Sequence, residues 1–495
     1  MNTHLHVLLS LSVLLWSSAT HALTTNTRYD YDVAAGTSTV TNANGEATRY
    51  RYDAAGNLKE VKLLGLLGQP AYNFNYDLTD QLTDMTYPGG RASGIDQGFD
   101  YDTFDRVTSV RDYGNNGTLL QTQFDYDHRD RITWITYPDS TKVCYEYDAD
   151  GRITAVGRGG SSVSALSPCS QSGVSRYVYR YDGGGRLTGI DLPNGLSQFI
   201  EYDGTTGLIH RSGYRRGSVT VAADTFDYYP KTALIQQITR EDDSVTTHTR
   251  YSYDGYQRLV WTQDVESGLR VEYDYDNFGN RSKECGAYLY QYPPSSSRLA
   301  DVYRDGVQQA HFVYDNAGQL KSRIDYVNGV AKTTNYEWDG RGNVTRVVKP
   351  DGTDTRLAYD GLGTRKSKSV TRSGVTTTTY YVTATLFGLP QVLMEYSGTN
   401  KQRSYVYGGT QVLHEEDAAG TRRYNLIAGA VGNIAQQADN AGNILARYDY
   451  DSFGAAYGAT PATYGYTGQR YDNETGLLYL RARYYDRITT MGAAA

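Results

Sequence analysis

The sequence predicts an all-β protein in which antiparallel β-hairpins follow one another and curl into a spiral or an open barrel. Three observations carry this prediction. Tyrosine supplies 48 of the 495 residues and glycine 52, which suits amphipathic strands joined by tight turns. One short motif recurs along most of the chain. No stretch shows a convincing helical period of apolar residues.

Each copy of the motif has aromatic residues at its first and third positions, Asp at the fourth and often Gly at the seventh. Because side chains alternate along a strand, the two rings share one face. The Asp carboxylate then accepts backbone N–H groups and begins a turn, in which the glycine supports a positive φ. An Arg, Asn or Gln follows, before a second strand of Leu, Ile or Val with Thr. Copies begin at Tyr50, Phe74, Phe99, Phe124, Tyr145, Tyr179, Ile200, Tyr251, Tyr273, Phe312, Tyr336 and Leu357, with a degenerate copy at Phe226.

Apolar residues at the ninth and twelfth positions of several copies would lie on opposite faces of a flat strand. A bulge after the turn, or burial on both faces, would resolve this conflict. A dozen hairpins paired edge to edge accumulate twist, so we expect the sheet to curl.

These copies resemble the YD repeat of the Rhs, toxin-complex C and teneurin families. A second match lies near the C-terminus, where YDYDSFG from Tyr448 and YGYTGQRYDNETGLLYLRARYYD, residues 464–486, resemble the Rhs-associated core segment. The resemblance implies a hollow β-shell of spiralling hairpins that the core segment helps to close. It implies a repeat shell over residues 23–440, a core-like segment over 441–486 and a divergent tail over 487–495.

The sequence departs from the family pattern in two places. The region from Tyr424 reads YNLIAGAVGNIAQQ, where the family carries a stretch ending in Leu-Gly-Ser. Asp486 is followed by RITTMGAAA, where the family continues with Asp-Pro-x-Gly sites whose aspartates perform self-cleavage. We therefore expect a C-terminally truncated member of the family without the self-cleavage motif or a toxin domain.

The first 22 residues predict a secretory signal peptide, because an apolar run from Leu5 to Trp16 is followed by small and polar residues up to Ala22. The expected location is secreted, periplasmic or on the cell surface. A bridge between Cys144 and Cys169 is conceivable in such a compartment. The expectation from their odd number is nevertheless that Cys144, Cys169 and Cys285 are unbridged, buried or half-buried residues.

No catalytic, cofactor-binding or metal-ligating residue is predicted, so the chain is not expected to be an enzyme or to need a cofactor. The repeat aspartates stand at the same turn position in every copy, which favours a structural role. The histidines form no zinc motif. A net charge of −7 without a basic stripe disfavours nucleic-acid binding.

The sequence favours a structural shell that encloses or displays cargo such as a toxin domain, with an encapsulated toxin polypeptide or another secreted chain as its partner. The alternative is a surface-exposed carbohydrate-binding or adhesion module, since rows of tyrosine can stack on sugars. Aromatic rows that face the interior favour the shell, whereas rows on a continuous outer surface favour the alternative. In the core-like segment we expect these side chains to lie against the repeat wall: Tyr466, Arg470, Tyr471, Tyr479, Arg481, Arg483, Tyr484 and Tyr485.

Overall fold

The computed structural model describes residues 27–64, 70–88, 96–113, 118–165, 167–242, 245–294, 296–428, 432–461 and 463–486. The predicted signal peptide and the divergent tail lie outside these residues. Within them the chain consists of 42 strands and a single 3₁₀ turn, Tyr466–Gly468. No helix in this part of the protein is long and apolar enough to span a membrane.

The main sheet has 37 strands, each of which pairs antiparallel with the strand that follows it in sequence. Its first half comprises β1 (Arg28–Asp32), β2 (Thr37–Thr41), β3 (Ala47–Tyr52), β4 (Leu58–Leu64), β5 (Ala71–Tyr76), β6 (Leu82–Thr86), β7 (Asp96–Tyr101), β8 (Val107–Tyr113), β9 (Leu119–Tyr126), β10 (Ile132–Thr136), β11 (Lys142–Tyr147), β12 (Ile153–Gly159), β13 (Val174–Tyr181), β14 (Leu187–Asp191), β15 (Ser197–Tyr202), β16 (Ile209–Arg216), β17 (Val219–Tyr228) and β18 (Ile235–Asp242).

Its second half comprises β19 (Val245–Tyr253), β20 (Leu259–Asp264), β21 (Arg270–Tyr275), β22 (Arg281–Glu284), β23 (Tyr288–Gln291), β24 (Asp301–Arg304), β25 (Val307–Tyr314), β26 (Leu320–Val327), β27 (Val330–Trp338), β28 (Val344–Val348), β29 (Asp354–Tyr359), β30 (Arg365–Arg372), β31 (Val375–Leu386), β32 (Leu389–Ser397), β33 (Asn400–Gly408), β34 (Gln411–Asp417), β35 (Arg422–Ala428), β36 (Asn433–Ala438) and β37 (Ile444–Arg447). Two small sheets follow, β38 (Asp449–Tyr450) with β39 (Ala456–Tyr457), and β40 (Arg470–Asp472) with β41 (Leu477–Tyr479) and β42 (Tyr484–Asp486). The prediction of an all-β chain of antiparallel hairpins is confirmed.

A β-bulge follows the turn of each regular repeat. In the hairpin of β3 and β4, Tyr52 pairs with Leu58 whereas Arg51 pairs with Glu60, which leaves Lys59 as an extra residue. The same shift recurs in later hairpins. The apolar residues at the ninth and twelfth repeat positions therefore reach the same face, as the bulge prediction requires.

The repeat aspartate organises its turn as predicted. The Oδ1 atom of Asp148 accepts the backbone N–H groups of Asp150 and Arg152 at 3.0 and 2.9 Å. Gly151 has a φ of +87°, which L side chains rarely adopt. In four other copies a non-glycine residue takes this left-handed conformation, namely Asp80, Asp105, Asp130 and Gln257.

The two faces of the sheet differ in exposure. The first aromatic residue of the repeat is buried in many copies, as with Phe74 at 1% and Phe124 at 6% exposure. The residue between the two aromatic positions points the other way and is exposed in these copies: Asn75, Asp100, Asp125, Glu201, Asp227, Asp274 and Glu337. The aromatic rows thus lie on the covered face of the sheet, and the opposite face is polar, with acidic residues such as Asp100 and Glu337 paired with Arg111 and Arg346.

The sheet returns on itself, so that strands β25 to β37, the second arm, pack against strands β1 to β18, the first arm. The contact begins rim to rim, where the Asn44 side chain donates to Asp315 at 2.8 Å and Lys366 binds Asp112 at 2.7 Å. It continues face to face between β8–β16 and β31–β36 as the largest hydrophobic cluster of the described residues. There the second arm covers the aromatic face of the first arm directly.

The expectation of three unbridged, buried or half-buried cysteines is wrong for Cys144 and Cys169 because they are bridged, and wrong for the burial of Cys285. Cys144 and Cys169 form a disulfide with Cα atoms 5.8 Å apart, whereas Cys285 is free and exposed. The bridge fastens the insertion between β12 and β13 over Trp134, which is only 4% exposed. Proximity of this kind depends on how the insertion folds back, which the sequence separation of 25 residues could not reveal.

Candidate functional site

Buried charges attach the C-terminal segment, residues 449–486, to the second arm. Arg365 on β30 pairs with Asp472 on β40, and their side chains are 1% and 0% exposed. Lys368 adds a second cation, with its Nζ 3.2 Å from Asp472 and 2.7 Å from Glu474. Burial alone would raise the pKa of Asp472, but Arg365 and Lys368 outweigh it and hold this pKa well below its usual range. The carboxylate therefore stays charged inside the protein.

A second buried pair joins Arg470 of β40 to Glu395 of β32. The Arg470 guanidinium also lies 4.8 Å from the ring centroid of Tyr381, and the Tyr405 hydroxyl donates to the same glutamate. Burial raises the pKa of Glu395, whereas Arg470 and the Tyr405 hydroxyl lower it by more, so the net shift is downward. We call these two ion pairs the C-terminal lock.

Eight side chains of the core-like segment are predicted to lie against the repeat wall. Four of them contact the second arm: Arg470 as described, Tyr479 with its ring 4.1 Å from the Arg365 guanidinium, Arg481 donating to the Pro390 carbonyl at 3.0 Å, and Tyr484 with its hydroxyl 2.7 Å from that of Tyr359. The prediction is confirmed for these four.

The remaining four behave differently. The hydroxyls of Tyr466 and Tyr485 bind carbonyls within the segment itself, those of Ser452 and Phe453 at 3.3 and 2.8 Å. Tyr471 lines a cavity. Arg483 is exposed, which corrects the prediction, because the short turn before β42 directs it toward solvent.

That cavity lies between strands β26–β28 and the C-terminal segment, and its volume is about 350 Å³. Arg323 crosses its wall to bind Asp486 at 3.1 Å. The lining residues are Arg323, Asp325, Thr334, Tyr336, Lys349, Ala455, Ala456, Thr460, Tyr471, Thr475, Gly476 and Asp486.

A clamp between consecutive repeats is the feature that the sequence reasoning missed. Arg131 donates from Nε to Asp127 at 2.7 Å and lies 4.5 Å from the ring centroid of Tyr147 in the next repeat. The Tyr147 hydroxyl in turn donates to the Ile132 carbonyl at 2.9 Å. The recurrence of Arg at the eighth position was the available signal. The complete clamp recurs in the sets Asp102–Arg106–Tyr126, Asp148–Arg152–Tyr181, Asp182–Arg186–Tyr202 and Asp254–Arg258–Tyr275.

Tyrosine hydroxyls of the first arm bind the main chain of the second arm. Tyr137 donates to the carbonyl of Tyr405 at 2.7 Å, and Tyr145 donates to the carbonyl of Tyr407 at 3.1 Å. Farther along, the Tyr214 hydroxyl accepts a backbone N–H at 2.8 Å. These contacts recognise a polypeptide backbone and do not depend on its side chains.

A buried histidine lies in the same contact between the arms. The His414 ring stacks on Tyr177 with centroids 5.8 Å apart, and its Nδ1 is 2.8 Å from the Tyr177 hydroxyl. Burial, with smaller contributions from Arg422 and Arg158, lowers the pKa of His414 well below its usual value. The imidazole is therefore neutral in the folded protein.

Among the residues that the structure describes, no group of three or more His, Cys, Asp or Glu side chains could hold a metal ion. The groups with shifted pKa values, Asp472, Glu395 and His414, lie in contacts between strands or between the C-terminal segment and the second arm. That the chain is not an enzyme stays a prediction.

Two family models match the sequence that forms this repeat architecture. The family model described as Teneurin YD-shell matches residues 66–191 and 194–490, and the RHS Repeat model matches residues 34–63. The chain belongs to the teneurin YD-shell family. The resemblance drawn from the repeat and the core-like segment is thereby confirmed.

Among curated proteins, the YD-shell protein is similar to three bacterial ones. It is 32% identical over 235 residues to the tRNA3(Ser)-specific nuclease WapA of Bacillus spizizenii, which is 45% of this chain and 9% of that protein. It is 26% identical over 245 residues to the probable deoxyribonuclease RhsB of Dickeya dadantii, covering 42% and 17% of the two chains. It is 27% identical over 130 residues to the toxin protein Tse5 of Pseudomonas aeruginosa, covering 25% and 10%. Each match covers less than a fifth of the relative's length.

Among solved structures, the Tc holotoxin pore of Photorhabdus luminescens matches 94% of the YD-shell protein and 29% of its own chain, at 15% identity and a TM-score of 0.45. A crystal structure of TcdB2-TccC3-TEV matches 91% and 30%, at 14% identity and a TM-score of 0.40.

Proposed function

We propose that this YD-shell protein is an exported structural shell that holds a cargo polypeptide against its aromatic face and has no catalytic activity of its own. The observation that carries the proposal is the way in which Tyr137 and Tyr145 bind main-chain carbonyls of another strand. Hydrogen bonds from a hydroxyl to a backbone carbonyl do not depend on the side chains of the bound strand. Tyr137 and Tyr145 are occupied by the second arm in this way, and tyrosines of the same face that line the cavity, such as Tyr336, would bind the main chain of a cargo of any sequence by the same chemistry.

The orientation of the sheet supports this function over the carbohydrate-binding or adhesion alternative. The aromatic rows lie on the covered face, whereas the exposed face carries residues such as Asp125 and Glu201. A binder of sugars at the outer surface would need its tyrosine rows on that exposed face.

The cavity beside Asp486 supports an extended form for the cargo. With about 350 Å³, it accepts a short extended segment in contact with Tyr336 and Arg323. The curated relatives include proteins named as nucleases and a toxin protein, which supports a toxin polypeptide as the class of cargo.

Export is part of the proposal and has two supports. The first 22 residues have the pattern of a signal peptide. The disulfide between Cys144 and Cys169 is of a kind that persists in oxidising compartments.

The test uses a photo-crosslinking amino acid placed at Tyr336, which lines the cavity, or at Asn75, which is exposed on the opposite face. The full chain is produced in its own cells, illuminated, purified and examined by denaturing electrophoresis and mass spectrometry. We expect an adduct with a second polypeptide from position 336 and none from position 75. No adduct from position 336, or equal adducts from both, would refute the proposal.

A further inference from the structure

The strip of strands has two rims with different chemistry. The aspartate rim contains the turns that follow odd-numbered strands, most of which begin with the repeat aspartate, and the far rim contains the turns that follow even-numbered strands. The aspartate rim exposes Leu78 at 104% and Phe104 at 74%. The far rim of the second arm exposes Val327 at 47%, Val330 at 55% and Val375 at 70%. Isolated exposed apolar residues are ordinary, but here two lie in neighbouring turns of the aspartate rim and three lie in two turns of the far rim.

The protein already contains one interface between these two kinds of rim. At the turn after β25 the aspartate rim of the second arm rests on the far rim of the first arm, where Asn44 donates to Asp315 and accepts the backbone N–H of Ala317 at 3.2 Å. Nearby, the Arg341 guanidinium lies 4.4 Å from the ring centroid of Tyr72 and donates to its hydroxyl at 3.1 Å. An aspartate rim and a far rim are therefore complementary surfaces in this fold.

Two other rim segments are exposed, namely the aspartate rim of the first arm after β5 and β7 and the far rim of the second arm after β26 and β30. Later far-rim turns of the second arm contact the first arm instead, as Lys401 does with Asp139 at 2.8 Å. The aspartate rim of the first arm presents the exposed carboxylates of Asp80 and Asp105 beside its apolar turn residues. The far rim of the second arm presents the exposed cations Lys332 and Arg372 beside its valines. The charges of the two segments are opposite, which favours contact between them.

We infer that these two segments meet in a head-to-tail contact between two copies of this chain, which continues the internal rim-to-rim interface from one molecule to the next. The apolar turn residues of one copy would pack on the valines of the other, with the carboxylates opposite the cations. Such an interface is heterologous, so its two halves lie on different parts of the surface and each copy keeps one half available. This inference does not depend on the cargo proposed above.

Two rim variants of the full-length mature protein test it. V327D/V330D places carboxylates on the far rim, where they would oppose Asp80 and Asp105, and L78S/F104S removes the apolar residues of the aspartate rim. Sedimentation velocity over a micromolar concentration series should show dimers and longer species for the wild type. Each variant alone should be monomeric, and their equimolar mixture should form a dimer that grows no further, since only one functional interface can form between them.

Gln123→Glu, at an exposed position in the middle of β9 away from both rims, is the matched control and should associate like the wild type. Circular dichroism verifies that each variant is folded, and K332E/R372E replaces V327D/V330D if the latter does not fold. Association should also weaken with added salt, because opposite charges contribute to it. The inference is overturned if the wild type is monomeric throughout, if the rim variants associate as the wild type does, or if their mixture stays monomeric.

Discussion

Arg365 on the second arm and Asp472 in the C-terminal segment stand 107 residues apart and form an ion pair from which solvent is excluded. A buried pair of this kind contributes little net stability compared with apolar residues, but the loss of one partner leaves an uncompensated charge. The pair thereby makes attachment of the segment depend on both residues.

Asp472→Asn should lower the free energy of unfolding by about 3–5 kcal/mol, because Arg365 would remain buried without its counter-charge. Urea denaturation at neutral pH measures this change. Asp30→Asn is the control, since its partner Arg28 is 75% exposed, and should change the stability by less than about 0.5 kcal/mol. Equal effects of the two substitutions would show that the lock is unimportant. Because the pKa of Asp472 is lowered by folding, its contribution is present at neutral pH and is lost as the pH falls below the usual carboxyl range.

His414 should make the protein less stable in mild acid. Its pKa in the folded state is well below the unfolded value of 6.5, so only the unfolded chain binds a proton as the pH falls below 6.5. The stabilisation is complete above that pH and decreases below it by up to about 1.4 kcal/mol per pH unit. Denaturation curves between pH 7.5 and 5 for the wild type and His414→Asn should differ in this slope. The exposed His128→Asn variant should retain the slope of the wild type, and a slope unchanged in His414→Asn would contradict the assignment.

The clamp between repeats should appear as coupling between Arg131 and Tyr147. A double-mutant cycle with Arg131→Met and Tyr147→Leu should give an interaction free energy of about 0.5–1 kcal/mol, the size of a cation–π contact at a partly exposed site. Equilibrium unfolding of the four proteins provides the measurement. Arg250→Met combined with Tyr147→Leu is the control cycle and should be additive, because Arg250 is bonded to Gln237 in a different hairpin. Additivity in both cycles would argue against the clamp.

Opening the disulfide should lower the free energy of unfolding by about 3 kcal/mol, the value expected for a loop of this length. Cys144→Ser with Cys169→Ser, or reduction of the wild type, provides the comparison. The emission of Trp134 should shift to the red as the insertion leaves it. Cys285→Ser should leave both readouts unchanged, since that thiol is free and exposed. A double variant as stable as the wild type would show that the insertion is held by packing alone.

The local parts of the fold could be read from the sequence because they repeat with a short period. The turn at Asp148 and the shared face of the two rings follow from strand alternation and Asp chemistry, and the bulge follows from the spacing of apolar residues. The clamp escaped prediction, since it joins Arg131 to a ring in the following repeat and depends on the lateral spacing of hairpins.

The contact between the arms could not be predicted. Tyr145 and Tyr407 are 262 residues apart, and nothing in either repeat specifies which distant strand will cover it. For the same reason the sequence showed only that His414 belongs to no zinc motif, and its burial against Tyr177 is seen only in the structure. Contact with the second arm could be predicted for four of the eight residues expected against the wall, because the core-like segment resembles a known pattern. The exposure of Arg483 could not be predicted, because it depends on one short turn.

Each strand of the main sheet pairs with the next strand in sequence, and this affects the order in which the parts of the protein fold. Contacts between neighbours close short loops, so each hairpin can form as soon as it emerges and add to the edge already present. A chain that emerges from its N-terminus would thus build the first arm before the second. The C-terminal lock, which needs Asp472, can form only at the end. Until then the growing sheet keeps an accessible edge, and another polypeptide has time to bind before the C-terminal segment is attached.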